Sequence, residues 1–264
     1  MTGERVENGV EARAGENNAA PEIYVAIDNT HGISRASLEA AVMLAEQVKA
    51  SLLGLVVQDL LLQSVAELPF TTEVVRSTGE ERDLFADHLR QRHQQMLSRL
   101  RLLFDECALA RQVRFRFEVG ERKLPVPLPP GRAWGIYVPG SRRSTTGRPA
   151  ASLGRIKVLF DGSEQARRAV DIVRSLAEAG RCRELMLVNL GGLPASLLNE
   201  LSQRGIRVYL LNEAVSQQVV LRHIVGGPAV DLVLVPLPLT EGVEQTVLQN
   251  TLESSASVGT FLIA

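Results

Sequence analysis

The sequence predicts an α/β protein made of two tandem parallel-sheet domains, the first of them truncated. Three observations carry that expectation. An apolar run ending in aspartate occurs twice, as Ile23-Tyr24-Val25-Ala26-Ile27-Asp28 and as Ile156-Lys157-Val158-Leu159-Phe160-Asp161. Each run leads into a helical pattern and then a second apolar run, the strand, helix, strand order of a βαβ unit. The strands are apolar throughout rather than alternating, as in a parallel sheet covered on both faces.

The helices follow from spacing. Leu38, Ala41, Val42, Ala45 and Val48 recur at the helical period, and so do Ala169, Ile172, Val173, Leu176 and Ala177. Each set makes one apolar stripe, leaving Glu39, Glu46, Lys49, Arg167 and Arg168 for water. Aligning Leu44-Ala45-Glu46 with Leu176-Ala177-Glu178 places Leu55-Val56 over Leu187-Val188 as the second strand of each half. A long helix is then expected from Asp83 to Arg111, a strand from Val113 to Val119, and a fourth strand from Ala133 to Val138. The short interval between Gly140 and Ile156 leaves no room for a further helix and strand, so the first half ends early. The second half is complete, with strands from Ile156, Leu185, Ile206, Asp231 and Gly259 and helices from Ser163, Pro194, Glu213 and Thr240. The expected organisation is a disordered acidic lead over 1–21, a first domain over 22–150 and a second over 151–264. Each domain is expected to have its own sheet, with equivalent strands superposing. The stretch Leu60 to Val75, too apolar for a free loop, is the candidate to cover the edge left by the missing strand.

Composition narrows the function. A formal net charge of -1 and 4% aromatic residues give neither a basic field for nucleic acid nor stacking platforms, and no nucleic-acid or membrane partner is expected. No apolar run approaches a membrane span or a signal peptide. Cys107 and Cys182 have no CxxC spacing, which points to reduced helix residues in a cytoplasmic protein rather than to a disulfide or a zinc site.

The repeated strand-Asp opening, the Asp161-Gly162-Ser163 turn, the second strands ending at valine and the short terminal apolar strand resemble a tandem universal stress protein, with its Rossmann-like fold, over about residues 22–264. In nucleotide-binding members of that family the first-strand Asp and its neighbours meet the adenosine, and a second-strand valine lies by the adenine. The resemblance therefore implies Asp28, Val56, Asp161, Gly162 and Val188 as nucleotide-contacting positions. The family holds phosphates with a loop reading G-x2-G-x9-G-[S/T]. This chain instead has Pro236-Leu237-Pro238-Leu239-Thr240-Glu241-Gly242, with Gln249-Asn250 aligned to the Gly-Ser pair. Glycine there lets phosphate reach backbone N–H groups, whereas proline removes donors and Glu241 repels an anion. The expectation is a non-catalytic, stress-related regulatory or scaffold protein that requires no cofactor. ATP binding is weak or absent, and the alternative is an AMP or ATP binder with an atypical phosphate grip. An adenylyl-transferring enzyme lacks the cationic groups that such chemistry requires.

Other features have plainer readings. Gly140-Ser141-Arg142-Arg143 and Gly147 read as an interdomain linker, an anion cradle being the alternative. The Arg-rich helix around Arg90, Arg92, His93, Arg99 and Arg101 is flanked by Asp83, Asp87, Asp105 and Glu106 and reads as a solvated face. His31, after the Asp28 turn, reads as a loop histidine, a general base being the alternative, and His88, His93 and His223 lack metal-ligand spacing. Ser163 reads as a helix N-cap, and Asp161 either as a carboxylate favoured by the helix dipole or as a ligand contact. Phe261, Leu262 and Ile263 would form an apolar edge, covered by the first half of the same chain or by a homodimer across that strand.

Overall fold

The computed structural model describes residues 21–28, 33–57, 65, 68, 71–74, 79, 81–83, 86–120, 133–140, 153–225 and 230–264 of the chain. In chain order the elements are β1 (Glu22–Asp28), α1 (Arg35–Val48), β2 (Ser51–Val57), β3 (Thr72–Val74), β4 (Glu81–Asp83), α2 (Ala86–Leu109), β5 (Phe115–Gly120) and β6 (Ala133–Pro139). They continue with β7 (Arg155–Phe160), α3 (Glu164–Glu178), β8 (Glu184–Asn189), α4 (Ala195–Gln203), β9 (Arg207–Asn212), α5 (Gln217–Val225), β10 (Leu232–Pro236), α6 (Gln245–Glu253) and β11 (Gly259–Ile263), with a 3-10 turn at Leu237–Thr240. The fold is α/β, as the apolar strands and amphipathic helices require.

The two halves do not keep separate sheets. One nine-stranded sheet runs through both in the order β5-β2-β1-β6-β11-β10-β7-β8-β9, and β3 pairs with β4 in a separate hairpin. Within the nine-stranded sheet the strand pairs of each half are parallel, including those at Ile156 and Leu185. The halves meet where β11 pairs antiparallel with β6, Phe261 opposite Tyr137 and Leu262 opposite Ile136. This corrects the expectation of two sheets and has a direct cause. Among the described residues the first half offers no strand for the outer edge of β6, and the second half's last strand fills that edge. The stretch from Leu60 to Val75 is not that cover: of it Val65, Leu68 and Thr71–Val74 are described, and Val74 in the hairpin is exposed. The boundary at 150/151 and the lead through residue 20 lie outside the described residues.

Alternation along the strands sends side chains to two cores. Ile23, Val25, Ile156, Val158, Phe261 and Ile263 pack beneath α1, α2, α3 and α4. Tyr24, Ala26, Leu159, Val188, Val233 and Leu262 pack on the other face with Val220 and Ile224 of α5 and Leu248 and Leu252 of α6. Between the halves α1 and α3 touch. Glu46 on α1 receives Arg111 at 2.8 Å and Arg181 at 2.7 Å, and these guanidinium partners, Arg181 foremost, hold its carboxyl below the ordinary range.

The seam depends on close backbone approach. A Cβ at Gly135 would stand 2.0 Å from the Leu262 carbonyl oxygen, one at Gly140 2.1 Å from that of Ser257, and one at Gly259 2.1 Å from Tyr137 Oη. The Val258 carbonyl, in the second half, collects three donors from the first: Ser37 Oγ at 2.7 Å, Gly140 N at 2.9 Å and Tyr137 Oη at 3.3 Å. Tyr137 is fully buried, and burial drives its phenol well above the ordinary range. At the chain end Arg168 Nη1 donates to the Ala264 carbonyl at 3.0 Å, and its guanidinium lies 6.0 Å from the Trp134 ring centroid.

One charged strand residue is buried among the described residues. Lys157 in β7 is 1% exposed, and its Nζ donates to the His223 carbonyl at 2.9 Å, near the C-terminal end of α5. A cation is favoured beside those last-turn carbonyls. Burial nonetheless lowers its pKa to about 8. The ring of the same His223 meets Glu213 Oε1 at 2.9 Å, so α5 is fixed to the sheet through its backbone and to the loop after β9 through its side chain.

Two predictions follow from the seam and from this lysine. Gly259→Ala places a methyl group inside the Tyr137 phenol and lowers stability by about 2 kcal/mol or more. Tyr137→Phe removes one of several donors to Val258 and costs only about 1 kcal/mol. Urea midpoints should rank the two variants in that order. The folded pKa of Lys157 lies below its ordinary 10.5, so between about pH 8 and pH 10.5 the unfolded chain binds a proton that the folded chain has lost, and this group's contribution makes stability rise with pH. Urea titrations across that window should show the wild type gaining on Lys157→Met by up to about 3 kcal/mol. Parallel profiles for the two proteins would contradict it.

Candidate functional site

Parallel strands converge their C-terminal ends, and in open α/β sheets that end is where ligands bind. In the second half, β7 runs into Asp161, Gly162 and Ser163. Gly162 has φ +83, a conformation that glycine adopts without strain, and Ser163 is extended and caps α3. Asp161 Oδ1 accepts from the Ser163 amide at 3.0 Å and also from its hydroxyl, while Ser163 Oγ accepts from the Ala166 amide at 3.1 Å. Carboxylate, hydroxyl and helix amide thus form a chain at the positive end of α3. Both expectations for Ser163 and for the dipole-favoured reading of Asp161 are met by this geometry.

The loop after β8 lies against this turn. Gly192, at φ +68, lies so close that an added Cβ would be 3.2 Å from the Gly162 Cα. Asn189 at the end of β8 accepts the Gly191 amide on Oδ1 at 3.1 Å and donates from Nδ2 to Asn212 Oδ1 at 2.8 Å. Leu190 N donates to the Phe160 carbonyl at 2.7 Å and Glu213 N to that of Asn189 at 3.0 Å. The ends of β7, β8 and β9 are therefore laced together by their own polar groups. Asn189, Asn212 and the Gly191-Gly192 pair were not singled out from sequence. A double glycine directly after a strand and asparagines ending two successive strands were the available signals.

The two valines do not occupy equivalent places. Glu22 pairs with Ser51 in the first half and Arg155 with Glu184 in the second, so Leu55 corresponds to Val188 and Val56 to Asn189. The sequence alignment slipped by one residue, and in a strand that slip exchanges faces. Val56 is buried in the core beneath α1, whereas Val188 is buried in the core beneath α5. In the first half Ser34 caps α1, its Oγ accepting from Ser37 N at 3.1 Å, but the strand aspartate lies six positions upstream rather than two. The side chain of Asp28, together with His31 and the side chain of His88, lies outside the described residues.

The segment after β10 is closed rather than glycine-rich. Pro236 leads into the 3-10 turn containing Pro238. Thr240 Oγ1 donates to the Leu237 carbonyl at 2.7 Å, Glu241 N to that of Pro238 at 3.1 Å, and Val243 N to that of Thr240 at 3.2 Å. α6 then begins at Gln245 with Glu244 in the N-cap position. Its carboxylate stands at the helix pole where a phosphate would otherwise be favoured. Gln249 and Asn250, aligned from sequence to the family's Gly-Ser pair, are within α6 rather than in the loop before it. They are not phosphate-loop positions.

The remaining candidates divide simply. Gly140 belongs to the seam, its amide bound to Val258, and residues 141–147 lie outside the described residues. On α2, Arg90 pairs with Asp87 at 2.9 Å, and Arg99 and Arg101 are exposed, as a solvated face requires. Burial lowers the pKa of His93 on the same helix. Cys107 and Cys182 are both buried and free; Cys182 sits in the loop before β8 rather than in a helix, and burial pushes its thiol up to about 12. Among the described residues no cluster of His, Cys, Asp and Glu could hold a metal, and no helix is long and apolar enough to cross a membrane.

No family model and no curated protein matches the chain. Among solved structures it is similar to a universal stress protein from Archaeoglobus fulgidus DSM 4304, with 13% identity, 91% of this chain and 95% of that one covered, and a TM-score of 0.47. It is also similar to a protein assigned to the universal stress proteins from Pseudomonas aeruginosa UCBPP-PA14, with 14% identity, 93% of each chain covered and a TM-score of 0.42.

Proposed function

We propose that this chain is a tandem protein of universal stress type that acts as a non-catalytic regulator or scaffold in the cytoplasm and binds ATP weakly or not at all. The observation that carries this reading is the closed turn after β10. Its prolines supply no N–H, the amides of Glu241 and Val243 are used within the turn, and Glu244 stands at the N-terminus of α6. A triphosphate would have to displace those bonds and approach a carboxylate, each at a cost comparable to a lost hydrogen bond or a like-charge contact. The two buried, unpaired cysteines fit a reducing compartment.

A second reading keeps one observation in its favour. The glycines at 162 and 192 bring bare backbone to the ends of β7 and β8, where an adenosine could lie beside Asp161. Calorimetry separates the two. With magnesium-ATP at millimolar concentration the expected heat is near that of dilution, and any AMP or adenosine signal should be weak and sensitive to Asp161→Ala. Micromolar or tighter ATP binding that disappears in Asp161→Ala would replace the scaffold reading with the nucleotide-binding one.

A further inference from the structure

With β11 inside the sheet, its ladder edges are β5 and β9. They are not equally guarded. On β5, Arg116 and Glu118 share one face, Arg116 pairing with Glu22 at 3.1 Å and lying 3.9 Å from Glu118, the charged treatment that discourages edge pairing. On β9 the run Tyr209-Leu210-Leu211 is 49%, 38% and 41% exposed, with apolar side chains toward both faces. An edge of that composition is a template for another strand.

Its open hydrogen-bonding groups can be assigned. Arg207 N donates to the Arg183 carbonyl and Glu213 N to the Asn189 carbonyl, so the odd-numbered residues turn their backbone groups toward β8. Val208, Leu210 and Asn212 therefore turn theirs outward. We propose that β9 is a homodimer edge: a second copy of this chain pairs with it antiparallel about a two-fold axis through Leu210, continuing the sheet from one copy into the other.

That register follows from complementarity. Leu210 exchanges both backbone bonds with Leu210 of the partner subunit, and Val208 does so with Asn212 of the partner subunit. On one face Tyr209 then lies opposite the partner's Leu211, and Arg207 opposite the partner's Glu213. Arg207 is 77% exposed at its side chain, and Glu213 already binds Arg222 and His223, so each new ion pair extends a charge cluster. Moving the axis by one residue sets Arg207 against Leu211 or against Val215 and loses both ion pairs. The contact is isologous, as a closed two-fold dimer requires. It does not depend on whether nucleotide binds.

The test uses the full chain in light scattering and sedimentation across a wide concentration range. The expected mass rises from 28.8 kDa when dilute toward twice that value when concentrated. Leu210→Pro removes an outward N–H and no ladder bond, and it should weaken association at least about tenfold while leaving the far-UV spectrum unchanged. Leu211→Lys, at an exposed position, should do the same without any backbone change. Hydrogen exchange of the wild type should show Val208, Leu210 and Asn212 gaining protection as concentration rises. A monomer at every concentration, or a dimer indifferent to both variants, overturns the proposal. Protection of those amides in dilute monomer also overturns it, because another segment of the same chain would then cover the edge.

Discussion

The structure depends on one strand having neighbours that run in opposite directions. β11 is parallel to β10 and antiparallel to β6, so it closes the second half's sheet and supplies the strand that the first half lacks. Strand directions alone do not make such a seam. Gly135, Gly140 and Gly259 let the backbones and the Tyr137 ring approach to distances that a methyl group would forbid, and the Val258 carbonyl then draws donors from α1, from β6 and from the residue after it. Removing β11 would expose the inner edges of both halves at once, in an otherwise apolar interior where unpaired backbone groups are costly.

The seam also makes the repeat unequal. An even pairing would set matching strands on either side of a two-fold axis, but here four strands of one half face five of the other, and β11 has no counterpart. The equivalent helices have taken different tasks in consequence. Ser37 of α1 spends its hydroxyl on Val258, whereas Arg168 of α3 holds the terminal carbonyl and lies over Trp134. The loops that precede them differ in the same sense. Asp161 caps its own turn two residues before Ser163, while the longer first loop separates Asp28 from Ser34.

Much of this was legible from residue pattern, because strands and amphipathic helices follow from local spacing. The apolar runs at Ile23, Ile156, Leu185 and Leu232 are strands, the stripes at Leu38 and Ala169 are helices, and Ser163 caps as its position suggested. What was not legible depends on pairing between distant residues. Whether Phe261, Leu262 and Ile263 end a sheet or lie within one is set by β6, more than a hundred residues earlier in the chain. The Val56 and Val188 alignment failed for a related reason: both halves contain adjacent apolar residues, so sequence similarity could not fix a register that backbone pairing fixes to the residue. Gln249 and Asn250 failed because the aligned motif precedes a helix, whereas the helix here has already begun at Gln245. Lys157 was visible as a cation in an apolar strand, but its partner, a carbonyl on α5, was not.

The closed turn after β10 and the laced strand ends bear on each other. Each polar group at the C-terminal end of β7, β8 and β9 that meets another group of the chain is less available to a ligand, and the bonds among Asp161, Ser163, Asn189 and Asn212 are short-range and geometrically satisfied. On the proposed reading a nucleotide would have to compete with them at the strand ends and with Glu244 and two prolines after β10. Opposition at one end alone could be overcome by good contacts at the other, since a few kcal/mol of adenosine contact would compensate for a poor phosphate grip. The proposed weakness of ATP binding rests on opposition at both ends together.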